Sequence, residues 1–221
     1  MTRSSTVLPE KAHVLFVHGM GRSPLSGWPT LLRLRRQGWH THTFGYFVCA
    51  QSFEAIRDRL VQRLVALCAQ GDCIVIGHSL GGVLLRSALA HLPEGTRLPR
   101  HLFLLGSPMR PARMAQALGH LLPFRWATGD CGRLLASPER MAGVPPPAIA
   151  CTHVIGTLGW RGRWSPFGME PNDGVVALSE ACGGGVEREI LRPIVHTWLP
   201  SHPDIAQIIT RHIRPRVSDS E

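Results

Sequence analysis

The chain has 221 residues, 44% of them hydrophobic and 18% charged, which suits one globular domain with a sizeable core. No apolar run approaches the roughly 20 residues of a membrane span, and residues 1–11 lack the apolar stretch of a secretory signal, so a cytoplasmic location is expected. The formal charge of +9 is almost all arginine, with Lys11 the only lysine and Tyr46 the only tyrosine. The basic residues are scattered and no nucleic-acid module is present, so nucleic acid is not an expected partner. Genomic base composition explains the arginine blandly, and peripheral contact with an anionic membrane explains it functionally.

In chain order, residues 1–11 read as a loose polar tail. His13-Val14-Leu15-Phe16-Val17 is a buried-strand pattern ending in His18-Gly19-Met20-Gly21. Trp28 to Gln37 reads as a helix, with Pro29 in its first turn and Gly38 as its stop. Trp39 to Phe47 reads as a second strand. Ser52 reads as the N-cap of a helix carrying Ile56, Leu60 and Leu64 at helical spacing. The apolar run Cys73-Ile74-Val75-Ile76 leads into Gly77-His78-Ser79-Leu80-Gly81, and a helical run follows from Val83. Strand, sharp turn and helix form the context in which Gly-x-Ser-x-Gly works as a nucleophile elbow.

Residues 101–106 give another apolar strand, followed by Ser107-Pro108, and residues 112–122 a short helix. From Pro123 to Pro147 proline and glycine accumulate, and irregular surface or a small lid is expected. His153 to Gly156 is a short strand, residues 159–172 an aromatic and arginine-rich loop, and Ser179-Glu180-Ala181 one helical turn. Val186 to Ile194 reads as the last strand before His196. Ile205, Ile208, Ile209 and Ile213 mark a closing amphipathic helix, and residues 214–221 a second loose tail. Six cysteines without a C-x-x-C pair read as free thiols, with a Cys131–Cys151 disulfide as the alternative. Apolar strands alternating with helices predict an α/β domain with a mostly parallel sheet covered on both faces. His18, Ser79, Ser107, Asp173 and His196 then gather at the edge where such sheets bind ligands.

On these residues the sequence resembles the α/β-hydrolase superfamily, particularly small bacterial lipases and the lipase branch of the GPI-inositol-deacylase type. The resemblance spans about residues 12–213. It rests on His18-Gly19-Met20-Gly21, Gly77-His78-Ser79-Leu80-Gly81-Gly82, Asn172-Asp173-Gly174-Val175-Val176 and His196-Thr197-Trp198-Leu199. The order Ser, Asp, His is the one that superfamily uses. The resemblance implies one domain with a minimal three-layer α/β-hydrolase fold, lacking the first two strands of the full version.

A serine hydroxyl needs a base within hydrogen-bond reach. Ser79 is the expected nucleophile, His196 its base and Asp173 the residue that fixes the imidazole. The N–H groups of Met20 and Leu80 are the expected oxyanion donors. Asp130 and Asp204 are the alternative acids, and His202 the alternative base. Gly19, Trp28, Met109 and Trp160 are the expected substrate-binding residues, and Trp160, Trp164 and Phe167 either line an acyl pocket or simply pack. His18 is expected to be a structural hydrogen bonder and His78 to pack or bond locally. His40 and His42 share a strand face that could ligate zinc, but without a third ligand two solvated histidines are expected, with no metal and no cofactor. The expected activity is hydrolysis of a small-molecule or lipid-like acyl ester. A thioesterase or acyltransferase with the same triad, and a binding protein that has lost catalysis, are the alternatives.

Overall fold

The computed structural model describes residues 12–213, so the expected tails at 1–11 and 214–221 lie outside the described residues. Its strands are β1 (His13–Val17), β2 (His40–Phe44), β3 (Cys73–His78), β4 (His101–Leu105), β5 (Cys151–Gly156) and β6 (Arg188–Arg192). They form one sheet in the order β2-β1-β3-β4-β5-β6, with every adjacent pair parallel. The sheet is therefore wholly parallel, where a mostly parallel one is expected. The second and last strands are shorter than their sequence patterns, which run from Trp39 to Phe47 and from Val186 to Ile194: the flanking Tyr46 and Ile194 are buried but lie outside the ladders.

The helices are α1 (Trp28–Arg35), α2 (Phe53–Cys68), α3 (Leu80–Ala90), α4 (Arg113–Leu118), α5 (Leu122–Ala136), α6 (Pro138–Ala142), α7 (Leu178–Ala181) and α8 (Pro203–Ile213). Alternate strand residues face opposite sides. Leu15, Val17, Val75, Leu102 and Leu104 pack with Ile56, Leu60 and Leu64 of α2 and Leu84 of α3. Val14, Phe16, Ile74, Ile76 and Phe103 pack with Leu31 and Leu34 of α1 and Ile205 and Ile209 of α8. This period of two makes three layers, and each fully buried leucine contributes about 1.5–3 kcal/mol relative to exposure. Ser52 caps α2 through its side chain, which accepts the Ala55 N–H at 3.1 Å.

The stretch from 123 to 147 departs from expectation. Most of it is not irregular but two helices, α5 and α6, whose Cys131, Leu134, Leu135 and Met141 are buried in the α2/α3 core. Pro123 and Pro138 stand in first turns, where a missing N–H costs nothing, Gly129 kinks α5 at φ 53°, and Pro145 to Pro147 follow α6 in irregular chain. All six cysteines are unbridged, Cys131 and Cys151 included. Among the described residues no helix is long and apolar enough to cross a membrane.

The chain leaves β1 for the sheet edge at β2 and then returns across it to β3. The strand order reverses there, so a crevice opens between the C-terminal ends of β1 and β3. The loop after β1 and the turn after β3 meet at that crevice.

Candidate active site

Ser79 joins β3 to α3 at φ 52° and ψ −123°, and it is the only non-glycine with positive φ among the described residues. Such a backbone persists only where its surroundings enforce it. Three glycines do so. A Cβ on Gly77 would stand 2.6 Å from the Gly82 nitrogen, one on Gly81 2.6 Å from the His18 carbonyl oxygen, and one on Gly82 2.7 Å from Leu104. Strand, helix and the β1 loop therefore meet backbone to backbone. The Ser79 N–H donates to the Leu105 carbonyl at 2.9 Å, fixing the turn to β4, while the residue itself stays partly exposed.

The loop after β1 closes on this turn from the other side. Gly19 is buried against it, and a Cβ there would stand 3.0 Å from Ser79 Cβ and 2.9 Å from His78 Nδ1. The His18 ring stacks on Tyr46 at 4.2 Å, its Nδ1 donates to the Gly19 carbonyl at 2.8 Å, and the Tyr46 hydroxyl donates to the His18 carbonyl at 2.6 Å. His18 thus shapes the loop, and burial pushes its pKa down. Neither the Met20 nor the Leu80 N–H is taken by an acceptor among the described residues. Leu80 opens α3, so its N–H has no partner within the helix and lies at the positive end of the dipole.

The structure brings Asp173 and His196 together, with His196 Nδ1 2.6 Å from Asp173 Oδ2, both side chains buried. The other carboxylate oxygen accepts the N–H groups of Val175 at 3.0 Å and Val176 at 2.8 Å. The His196 N–H also donates to the Asp173 carbonyl at 2.8 Å, so backbone and side chain are paired at once. Gly106, at φ 53° just past β4, makes room for the pair: a Cβ there would lie 2.8 Å from Asp173 Oδ2 and 3.1 Å from His196 Nδ1. Four strand ends thus meet in one place.

His78, expected to pack or bond locally, is buried and packed, and its bond runs across the molecule. Its Nε2 donates to the His196 carbonyl at 3.0 Å, and the two rings lie 4.7 Å apart. Burial first, and the neighbouring His196 imidazole second, hold the His78 pKa well below the ordinary histidine value, so it stays neutral. The residue before Ser79 therefore fixes the segment that carries His196. A serine-to-histidine motif search does not register this, because the partner is a backbone carbonyl.

The loop delivering Asp173 is braced by side chains to which the sequence patterns assign no role, although Asn172 stands in the motif and Glu180 in the helical turn. Asn172 is buried; its Nδ2 donates to the carbonyls of Trp160 and Glu170 at 3.1 and 3.0 Å, and its Oδ1 accepts the Gly174 N–H at 2.9 Å. Arg113 on α4 reaches Glu180 at 2.6 Å and Glu170 at 2.5 Å, while Glu180 Oε2 accepts the Ala177 N–H at 3.0 Å. Burial works against the Glu170 charge, yet its hydrogen bonds with Ser179 and Arg113 bring its pKa down to about 2.

The remaining expected residues divide. The Trp28 ring lies along α1 with the Arg35 guanidinium carbon 5.3 Å from its centroid. Met109 is half-buried against Gly183, and its N–H donates to the Glu180 carbonyl. Trp160 and Trp164 stand exposed, whereas Phe167 is buried and packs with Arg113. Asp130 accepts from Arg140 and from the Phe53 N–H, and the Arg140 bond holds its carboxyl far below the usual range. Asp204 opens α8, and its N–H bonds the ring of His202, so neither joins Asp173 and His196. His42 is not a solvated side chain: its Nε2 lies 3.0 Å from His13 and its Nδ1 3.1 Å from Arg63. Among the described residues no cluster of metal-ligating side chains occurs.

Solved structures share this architecture at low identity. The mature lipase BlEst2 of Bacillus licheniformis aligns at a TM-score of 0.74 and 16% identity, over 93% of this chain and 92% of that one. RedJ thioesterase of the Streptomyces coelicolor prodiginine pathway aligns at 0.59 and 14%, over 91% and 84%. Phospholipase PlaB of Legionella pneumophila aligns at 0.61 and 16%, over 78% of this chain and 46% of that one. No curated protein matches the sequence. The family model described as the alpha/beta hydrolase family matches residues 14–215, and the chain belongs to that family.

Proposed function

We propose that the protein is a serine hydrolase that cleaves carboxylic ester bonds, with lipid-like or shorter acyl esters as substrates. The observation that carries this reading is the buried 2.6 Å bond between His196 Nδ1 and Asp173 Oδ2, set beside a strained and accessible Ser79. With Nδ1 engaged, Nε2 is the nitrogen left for the serine. Ser79 Oγ attacks the ester carbonyl carbon while its proton passes to His196 Nε2. The oxyanion is met by the N–H groups of Met20 and Leu80, each worth about 3 kcal/mol in comparable sites. The carbon–oxygen bond to the alcohol breaks, and the alcohol leaves with the proton from His196. Water, deprotonated by His196, then splits the acyl-enzyme, and the serine recovers its proton. Asp173 holds the tautomer and stabilises the imidazolium throughout.

A fluorophosphonate probe should label the wild type at Ser79 and leave folded Ser79→Ala unlabelled. A p-nitrophenyl ester series should fall by at least about 10⁴-fold in Ser79→Ala, and by about 10⁴-fold in Asp173→Asn. A folded wild type that neither labels nor hydrolyses any ester refutes the reading and favours a binding protein. Faster turnover of acyl thioesters than of matched esters would favour a thioesterase, and transfer to an added alcohol an acyltransferase.

A further inference from the structure

Five segments leave the C-terminal ends of β1, β2, β4, β5 and β6 and surround Ser79: residues 18–27, 45–52, 106–128, 157–177 and 193–202. They carry four of the six tryptophans of the chain; the other two are Trp28, which opens α1, and Trp39, just before β2. The four are Trp126, Trp160, Trp164 and Trp198, exposed by 78%, 60%, 73% and 64%. Large apolar side chains that open to water, gathered on one edge, mark a surface made to be covered.

The exposure is built into the fold. In the loop after β5, Ser165 Oγ donates to the Trp160 carbonyl at 2.9 Å, Gly162 and Gly168 pair at 2.9 Å, and Phe167 is buried. The same bonds that hold Phe167 inside hold Trp160 and Trp164 outside. Trp126 sits on the first half of α5, where it borders a groove shared with Cys49 and Gln51 of the loop after β2. Separate elements thus present tryptophans to the same side.

The five segments are net basic, and the two carboxylates that line the groove beside Trp126, Glu54 and Asp130, are both paired with Arg140. The five segments contain six arginines and two carboxylates, Glu170 and Asp173. Glu170 is paired with Arg113 and Asp173 with His196, so no carboxylate of these segments is left over. Arg163 lies with its guanidinium carbon 4.6 Å from the Trp164 ring, and Arg125 adjoins Trp126 in sequence. Paired indole and guanidinium groups suit a headgroup layer, where the ring enters the apolar boundary and the cation meets phosphate.

We infer that this edge docks the protein on an anionic lipid surface, with Ser79 facing the bilayer. The inference deepens the hydrolase reading and rests on it for the orientation of substrate, not for the docking itself. Such a surface would deliver an acyl ester from the lipid phase straight to the crevice.

The test uses the full chain as Ser79→Ala, so that binding is read without hydrolysis. Flotation is compared on phosphatidylcholine vesicles and on vesicles with about one third phosphatidylglycerol. The protein should float with the anionic vesicles, shift its tryptophan emission to the blue, and release as salt rises. The double substitutions Arg125→Ser with Trp126→Ser, and Arg163→Ser with Trp164→Ser, should each lower partition about tenfold or more. In the wild-type background both should hydrolyse a water-soluble short-chain ester at the wild-type rate, and unchanged thermal unfolding verifies their folding. Lack of flotation with anionic vesicles, flotation that both variants keep, or a dimer in solution that both variants abolish would overturn the inference. Flotation without any ester hydrolysis by the wild type would support the docking edge while refuting the hydrolase reading.

Discussion

The turn at Ser79 and the loop at Asp173 each fix one proposed catalytic group, and they do so by opposite means. The turn is short and buried. Gly77, Gly81 and Gly82 let three backbones touch, and steric exclusion leaves Ser79 one conformation. The loop from β5 to α7 is long and largely exposed. Asn172, Arg113, Glu170 and Glu180 hold Asp173 through polar bonds that reach across it. A nucleophile that must emerge from a helix end is placed by volume, and an acid at the end of a long loop is placed by hydrogen bonding.

The difference predicts how each region breaks. Gly81→Ala puts a methyl group among the Val17 and His18 carbonyl oxygens, which belong to backbone and have no rotamer to escape into. The cost should be about 4 kcal/mol or more, in the range reserved for steric conflict in a core. For a domain of this size that lowers the thermal midpoint by roughly 10 °C or more, readable by calorimetry. Retention of the wild-type midpoint would mean that the close approach of α3 to β1 is not tight.

Asn172→Ala makes the matching change in the loop. It leaves the Trp160 and Glu170 carbonyls and the Gly174 N–H without their side-chain partner. Partial access to water keeps the cost to about 2–3 kcal/mol. Because Asp173 is the next residue, the fall in kcat on a p-nitrophenyl ester should exceed any rise in KM. Equal losses in both variants would erase the distinction between volume and hydrogen bonding.

The two regions also differ in how far they can be read from sequence. Gly77 to Gly81 is legible because its constraint is local: only glycines fit, and they must stand beside the serine. Continuous apolar runs mark the central strands for the same reason, β-favouring threonines mark the edge strand β2, and Ser52 announces α2. What holds Asp173 and His196 is only partly local: Asp173 accepts the N–H groups of Val175 and Val176, but the bracing bonds span the chain. Arg113 lies 57 residues from Glu170, and His78 reaches a carbonyl 118 residues away. Nothing in residue type alone assigns such partners. The helices between 122 and 142 are not legible because proline and glycine signal both a loop and a helix start or kink. Only packing of Cys131, Leu134 and Met141 against the α2/α3 layer decides between them.

The two regions are joined at His153, and that junction is expected to carry the smallest and most specific of these effects. His153 is buried in β5, on the strand that leads to the acid loop, and its Nε2 accepts the N–H of Ser107, just past β4, at 3.1 Å. Burial, with the Arg86 guanidinium adding to it, brings the His153 pKa down to about 3. The unfolded chain binds a proton at that residue below about pH 6.5, which the native state refuses until about pH 3. The unfolded state therefore holds more protons over this window, and stability falls as pH falls. Between pH 7 and pH 5 this one imidazole should remove about 2 kcal/mol. His18, His78 and His101 shift in the same direction, all with burial as the leading cause, so the whole protein should be acid-labile. His153→Gln keeps a side-chain oxygen for the Ser107 N–H but cannot titrate. Denaturant unfolding at the two pH values should show the wild type losing about 2 kcal/mol more than this variant, whatever their stabilities at pH 7. Equal losses would mean that His153 accepts its proton without unfolding, and that the seam between the serine turn and the acid loop admits water.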